Sequence, residues 1–378
     1  GIKAAFPLAH SWLQDAYPKS TETGTVILSA FTTKLAIYAL ARGFAGLDLL
    51  IWVGAIMAVF PVFFALLGND LRRVLSYALI SQMGIMVCAV GVGGELGVNG
   101  AAAHAFASTI YMALLFMSMG AVMLRTGTTK TSGIGGLHRT MPYTTLFAII
   151  GGATIASVPL TSGFAAKSLT MSAVGYEGQM WVWLALLFAA AAAVAHTTIK
   201  VPLSAFFGED RGRRPEEAPF NMLLAMGIAA VFCIGIGVTP RWLYELLPYR
   251  DTALDYLNHD LWTPTHLVTQ FQLLVFGALA FVLLRRYALY LETAPGMLID
   301  SEWAWRRAAP SIAGALGAAL MAFERAFART ARQVGGRIKE HLVQTFAPAR
   351  GVSQRVPLSS TAIWSAFLLA AVLLIALI

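Results

Sequence analysis

The feature that most constrains this chain is its series of long apolar stretches, separated by short polar segments. A helix that crosses a membrane needs about 20 mostly apolar residues. Such stretches cover residues 24–45, 47–67, 74–93, 99–124, 143–175, 179–207, 220–247, 266–290 and 360–378, and residues 1–17 have the pattern of the end of another span. The sequence therefore predicts an all-α membrane protein, a polytopic helical bundle.

The composition excludes several other classes of protein. Hydrophobic residues make up 58% of the 378 residues, charged residues make up 12%, and the mean hydropathy is +0.69. A soluble domain has about 25% charged residues, so most soluble enzymes and nucleic-acid-binding proteins are excluded despite a net charge of +8. Cys88 and Cys233 lie in separate apolar runs, which excludes a disulfide framework. We expect no metal, no cofactor and no nucleic-acid partner.

The basic residues indicate how the spans are oriented. Lysine and arginine occur in every second loop, around Arg72, Lys130, Arg213 and Arg285, whereas the intervening loops are neutral or acidic. Cytoplasmic loops carry an excess of basic residues, so these loops are predicted to face the cytoplasm from the cell inner membrane. The alternation requires that residues 143–175 cross the membrane once.

Residues 302–348 have a different pattern. Arginines and large apolar residues recur there at helical spacing, which predicts a long basic amphipathic helix lying laterally on the cytoplasmic face. The helix is either continuous over about 40 residues or broken at Gly335-Gly336, and a last span follows.

Basic side chains inside the apolar runs are the strongest functional signal. A charged lysine at mid-membrane costs about 2.5–3.5 kcal/mol on insertion scales, and no carboxylate lies deep in a predicted span. Desolvation favours the neutral amine, so such a lysine is able to accept and release protons. The candidates for a proton relay are Lys3, Lys34, His104, Lys167, His196 and Lys200.

Several of these residues also have a simpler interpretation. Lys3 is compatible with an interfacial turn, and His104 with an ordinary packed histidine. Lys200 lies four residues after His196 on the same helix face, near a helix end from which its amine is able to reach the membrane surface.

Prolines beside two of the lysines predict broken helices. Pro7 lies near Lys3, and Pro159 with Gly163 lies near Lys167. Proline removes a backbone hydrogen bond, and the freed groups are tolerated in a membrane where they line a wet cavity. Two broken segments in corresponding roles are typical of inverted-repeat transporters, with an ordinary packing kink as the alternative.

Motifs in a specific order resemble a known family. The segments Gly1–Pro18, Thr23–Lys34, Asn69–Tyr77 and Gly135–Lys167 resemble the seventh, eighth, tenth and twelfth helix regions of the Mrp-type Na⁺/H⁺ antiporters, in their D-type subunit, and of the antiporter-like subunits of complex I. The resemblance covers about residues 1–250. The remainder, with its extra span, lateral helix and final span, resembles the end of the largest such complex I subunit.

The resemblance implies an antiporter-like inverted-repeat fold with further helices ahead of the sequence. It implies that Lys3 is the central lysine of a first half-channel, Lys34 its bridge, His104 a member of the central axis and Lys167 the terminal proton site of the second half-channel. The chain then divides into the end of the first repeat (1–67), the second repeat (68–250) and the C-terminal part (251–378).

One departure from the family pattern affects the implied relay. The family's eleventh helix usually has a second histidine and a lysine where this chain has Ser108 and Met112. A methionine thioether has no proton to transfer. The sequence therefore does not decide between proton conduction along the central axis and a second route through His196 and Lys200.

The sequence favours a proton-translocating subunit of a multisubunit monovalent cation/proton antiporter. Its expected partners are other antiporter-like membrane subunits in a hetero-oligomer, protons, Na⁺ or another monovalent cation, and lipid. One alternative is a proton-pumping subunit of a redox-driven complex of the complex I or membrane hydrogenase type. Another is a degenerate scaffolding subunit. No flavin, iron–sulfur or quinone motif occurs in the sequence, so any redox centre is expected in a partner.

Overall fold

A computed structural model describes residues 1–287, 303–346 and 358–376. Residues Gly1–Glu302 belong to one compact unit and Trp303–Ile378 to a second. The described residues are helical apart from their connecting turns and one isolated bridge, between Asp70 and Lys130. The predicted all-α bundle is therefore confirmed.

The first unit contains most of the helices. In chain order they are α1 (Ser11–Lys19), α2 (Glu22–Gly43), α3 (Asp48–Leu67), α4 (Leu71–Val92), α5 (Gly94–Thr126), α6 (Pro142–Ile155), α7 (Ser162–Tyr176), α8 (Met180–Phe207), α9 (Phe220–Val238), α10 (Arg241–Tyr244), α11 (Arg250–Tyr256) and α12 (Pro264–Arg286). Across the described ranges of the whole chain, eight helices are long and apolar enough to cross a membrane. α6 and α7 have 14 and 15 residues, so together they form one broken crossing.

The alternating helices define two ends of this unit. The loops around residues 68–70, 127–141 and 208–219 and the end of α12 lie at one end, which carries the basic residues and which we call the basic end. The loops around residues 44–47, 93, 177–179 and 239–263 lie at the opposite end.

The core of the first unit is built around α4. Its residues from Val74 to Gly91 are all buried, and α3 packs against it at very short range. A Cβ atom on Gly84 would lie 2.3 Å from the backbone nitrogen of Ala58, so the two backbones touch. Small residues at helix interfaces are the usual means by which membrane helices approach closely.

Arg72, at the start of α4, holds the turn between α1 and α2. Its side chain is buried, and its guanidinium donates to the carbonyls of Pro18, Ser20 and Thr21 at 2.9–3.2 Å and to the hydroxyl of Thr25. The last carbonyls of a helix have no partner within the helix. Arg72 therefore supplies donors that the end of α1 requires.

We expect Arg72→Met to destabilise the purified protein by about 3 kcal/mol or more, because buried carbonyls lose their donors. Thermal unfolding and protease cleavage near residue 20 measure the effect. Arg73→Gln is the matched control, since Arg73 makes only a 3.8 Å ion pair with Asp15 and its side chain is 35% exposed. Equal losses in both variants would contradict this role for Arg72.

The structure corrects one predicted boundary and decides one alternative that the sequence leaves open. The span predicted over residues 220–247 is too long, because α9 ends at Val238 and Pro240 cannot continue its hydrogen bonding. Of the two possibilities at Gly335-Gly336 the continuous helix is observed, because one helix runs through both residues. A helix-interior glycine costs only about 1 kcal/mol, which the surrounding helix formers outweigh.

The second unit contains α13 (Ala309–Phe346) and α14 (Leu358–Ala376). At 100° per residue, Leu320, Phe323 and Phe327 fall on one face of α13 and Arg325 and Arg329 on the other. α13 is thus the predicted amphipathic helix, while its position on a membrane surface stays a prediction. Residues 288–302, 347–357 and 377–378, which include the ends of three predicted segments, lie outside the described residues.

Candidate functional site

Two segments of the first unit share an unusual backbone conformation. Both contain two non-glycine residues with positive φ, spaced three apart, and a proline immediately before the second. They are Ala5 (61°) and Leu8 (69°) around Pro7, and Ser157 (62°) and Leu160 (70°) around Pro159. Positive φ is costly for non-glycine residues. Its repetition therefore indicates two copies of one structural element, as in an internal repeat.

Lys167 binds the end of α6, beside the second of these segments. Its Nζ donates to the carbonyl of Ile155 at 2.7 Å, and the lysine is buried. The C-terminal end of a helix carries partial negative charge, which favours a cation there. Gly163 at the start of α7 permits the backbones of α6 and α7 to approach closely, because a Cβ at this position would lie 1.8 Å from the carbonyl oxygen of Thr154.

Lys34 lies next to an irregular segment of α2. Residues Leu28–Thr32 form a π-helical turn, and the buried Nζ of Lys34 donates to the carbonyl of Ser29 in that turn at 2.6 Å. Single π-helical turns occur frequently at functional sites. The turn thus presents a backbone acceptor to a lysine inside the bundle.

Lys200 follows another π-helical turn, Val194–Ile199 of α8. Its buried Nζ donates to three carbonyls at the end of α3, those of Ala65, Leu66 and Gly68, at 3.0, 2.6 and 2.7 Å. The amine therefore lies inside the bundle and does not extend along the membrane surface.

The two histidines lie within electrostatic range of the buried lysines. His104 lies near Lys167 and Lys34, and His196 lies near Lys200 and Lys167. The order is Lys34, His104, Lys167, His196, Lys200, and we call this set the basic row. All of its members are buried. Lys3, the sixth predicted residue, is exposed in the turns ahead of α1.

Two neighbours of His104 were not predicted. His104 Nε2 lies 3.0 Å from the hydroxyl of Tyr111, which donates to Gln82 Oε1 at 3.5 Å. Tyr111 is seven residues after His104, which is two turns along the same face, so this spacing was a usable signal. Gln82 gave no such signal. Ser108 and Met112 are fully buried on the same helix.

Polar atoms near the basic row lack protein partners. Within the described part of the chain, Gln82 Nε2, His104 Nδ1, Thr170 Oγ1 and His196 Nε2 are buried without a hydrogen bond. Buried polar atoms in native proteins are almost always satisfied, by ordered water where no protein group is near. The row therefore offers binding positions for water between its titratable groups.

Cavities meet the lysines of the row from the two ends of the unit. A cavity of about 430 Å³ reaches Lys34 and is also lined by Ala45 and Val98 at the opposite end. A cavity of about 360 Å³ reaches Lys167 and is lined by Tyr176, again at the opposite end. The Nε2 of Gln270 on α12 donates to two carbonyls in the break between α6 and α7, at 3.0 and 3.3 Å.

The third cavity opens at the basic end. It has a volume of about 360 Å³, reaches Lys200 and is also lined by Glu209, Arg211 and Arg285. The row thus extends between cavities at both ends of the bundle.

Comparison with known proteins identifies the family. A family model described as NADH:quinone oxidoreductase/Mrp antiporter, TM matches residues 1–193. The chain belongs to this family. The matched residues include both broken segments and the buried Lys34, His104 and Lys167.

Individual relatives fall on both branches of the family. The chain is 29% identical to NADH-ubiquinone oxidoreductase chain 5 of Rhizopus stolonifer, over 68% of this chain and 41% of the relative. It is 30% identical to a Na⁺/H⁺ antiporter subunit of the D type from Alkalihalophilus pseudofirmus, over 66% of this chain and 53% of the relative. The chain therefore spans about half the length, or less, of these relatives.

A solved structure of the Mrp complex from Dietzia sp. DQ12-45-1b has the same fold. The TM-score is 0.61 and the identity 22%, over 72% of this chain and 59% of that one. At this identity the match concerns the fold alone.

Proposed function

We propose that this chain is a proton-translocating subunit of a multisubunit monovalent cation/proton antiporter in the cell inner membrane, with its basic end in the cytoplasm. Protons enter from the cytoplasm through the first half-channel, which includes Lys3, and move along Lys34, His104 and Lys167 and adjacent water to the cavity at the opposite end. The division into residues 1–67, 68–250 and 251–378 is part of this proposal. Further antiporter-like membrane subunits supply the coupling site for Na⁺ or a similar ion.

The observation that carries this proposal is the basic row itself. Burying several lysines without carboxylates in a membrane unit is costly, and a purely packing role would be filled better by apolar residues. Lys34 and Lys167 each retain one hydrogen bond to a backbone carbonyl, which both the charged and the neutral amine are able to donate. Each lysine is therefore able to release and regain a proton without losing its position.

Tyr111 supports passage past the methionine. Its hydroxyl is both donor and acceptor, and it contacts His104 and Gln82. The hydroxyl and neighbouring water provide a hydrogen-bonded route where Met112 provides none.

Lys3 belongs to the first half-channel by its place in the repeat and by its spacing from Pro7.

A redox-driven complex is the second candidate function. The 29% identity to an NADH-ubiquinone oxidoreductase chain 5 favours it. In such a complex, electron transfer in a partner subunit would drive the same lysines.

The deciding experiment uses the native assembly, purified through a tag on this chain and reconstituted in liposomes. We expect an imposed pH gradient to collapse when Na⁺ is added, because exchange of Na⁺ for H⁺ dissipates it. A pH-sensitive dye reports the collapse, and K⁺ and Li⁺ are tested in parallel. Choline chloride of equal concentration is the control for ionic strength.

An absence of response to all three ions would overturn the antiporter proposal. The iron content and the co-purifying proteins of the same preparation then separate the alternatives. Iron–sulfur partners would favour a redox-driven complex, and their absence a scaffold.

A further inference from the structure

The lysines of the basic row differ in how many acceptors hold their amines. Lys34 and Lys167 each donate to one backbone carbonyl, at 2.6 and 2.7 Å. Lys200 donates to three carbonyls at the end of α3, at 3.0, 2.6 and 2.7 Å. The same residue type therefore occupies two chemically different environments within one row.

Three carbonyls match the charged form of Lys200 and not the neutral form. An ammonium has three N–H donors and no acceptor, whereas a neutral amine has two donors and a lone pair. Deprotonation would direct that lone pair at a carbonyl oxygen inside the protein, where an unsatisfied polar group is costly. The negative end of the α3 dipole further favours the cation. The end of α3 therefore favours the ammonium form of Lys200, whereas the single acceptors of Lys34 and Lys167 suit either form.

The position of this fixed charge is at the boundary of the row. The cavity at the basic end reaches Lys200, and the Glu209 carboxylate in its lining is neutralised by an ion pair with Arg211 at 2.9 Å. His196 lies one turn before Lys200 on α8, within electrostatic range of Lys200 and Lys167. Lys200 is thus the member of the basic row that meets this cavity.

We propose that Lys200 is an electrostatic seal, which keeps protons and metal cations in the basic-end cavity from reaching His196 and Lys167. A fixed cation in a narrow pathway excludes protons and other cations. The inference rests on the proposed function, because a seal matters only where a proton pathway lies behind it. It assigns Lys200 the opposite role to the proton carrier expected from the sequence.

The test is the passive proton leak of the reconstituted native assembly, driven by a K⁺/valinomycin diffusion potential without Na⁺. Lys200→Met removes the charge and keeps the length of the side chain. We expect the leak to rise at least about tenfold, which corresponds to about 1.4 kcal/mol of lost barrier. Lys200→Arg keeps the charge and is expected to leak like the wild type. Arg286→Gln, an exposed residue of the same end that does not line the cavity, is the charge control.

Lys200→Gln keeps the test decisive if Lys200→Met does not assemble, since its amide still donates two hydrogen bonds to the carbonyls. An assembled Lys200→Gln variant with a wild-type leak would overturn the seal. Loss of Na⁺-dependent flux in Lys200→Arg and Lys200→Gln without a raised leak would also overturn it, in favour of a carrier. Failure of the proposed function would look different: wild-type flux would ignore both Na⁺ and Lys167, whatever the leak of the Lys200 variants.

Discussion

Replacing Lys167 by alanine is expected to abolish Na⁺-dependent collapse of the pH gradient while the complex still assembles. Lys167 is a buried amine that meets a cavity at the opposite end, and alanine has no proton to exchange. The loss should exceed about 100-fold, the lower end of the effect of removing a positioned acid–base group. The carbonyl of Ile155 loses one donor, which costs about 1–3 kcal/mol, too little to prevent assembly.

Lys167→Arg separates proton exchange from a purely electrostatic role. Arginine retains the charge and the hydrogen bond but is not deprotonated in proteins, so this variant is expected to be as inactive as Lys167→Ala. Lys130→Ala removes an exposed lysine at the basic end and should transport normally. Transport by Lys167→Arg at the wild-type rate would show that the charge alone suffices. Loss of the complex in Lys167→Ala would make the residue structural.

The sequence predicted the spans well because each depends on a local property. About 20 apolar residues suffice to identify a span, and the described helices follow the predicted order closely. The sequence failed to decide helix limits where one local property, such as apolar character or paired glycines, was outweighed by neighbouring residues. The apolar stretch continued past Val238 although Pro240 ended the helix, and paired glycines in α13 were outweighed by their neighbours.

The site was predictable only in part, because hydrogen-bond partners depend on tertiary contacts. The buried lysines could be recognised from the sequence alone, because a basic residue inside an apolar run is unusual. The sequence could not show that Lys200 binds the end of α3, which is about 135 residues away along the chain and is brought near only by packing. Gln82 likewise became relevant only because α4 and α5 pack together and place it beside Tyr111.

Gly84→Ala is expected to destabilise the core of the first unit strongly. The new Cβ would lie 2.3 Å from the Ala58 nitrogen and 2.6 Å from the Gly54 carbonyl oxygen, and neither backbone atom is able to rotate away. α3 and α4 must therefore separate, which removes contacts along their whole interface. We expect a loss of about 3 kcal/mol or more, at the upper end of overpacking costs, measured as a lowered midpoint of heat-induced loss of the monodisperse assembly.

Gly235→Ala is the matched control for this prediction. Gly235 also lies inside a membrane helix, α9, but a Cβ there would meet no atom within 4 Å. The substitution should be neutral or stabilise the helix by up to about 1 kcal/mol, the difference in helix propensity between glycine and alanine. If both variants shift the midpoint alike, the cost reflects glycine in membrane helices generally. A loss confined to Gly84→Ala would instead show that the cost arises at the contact between α3 and α4. The carbonyls that accept from Lys200 lie at the end of the same helix α3. Separation of these helices would then disturb the basic row through its backbone partners, without any change to a titratable group.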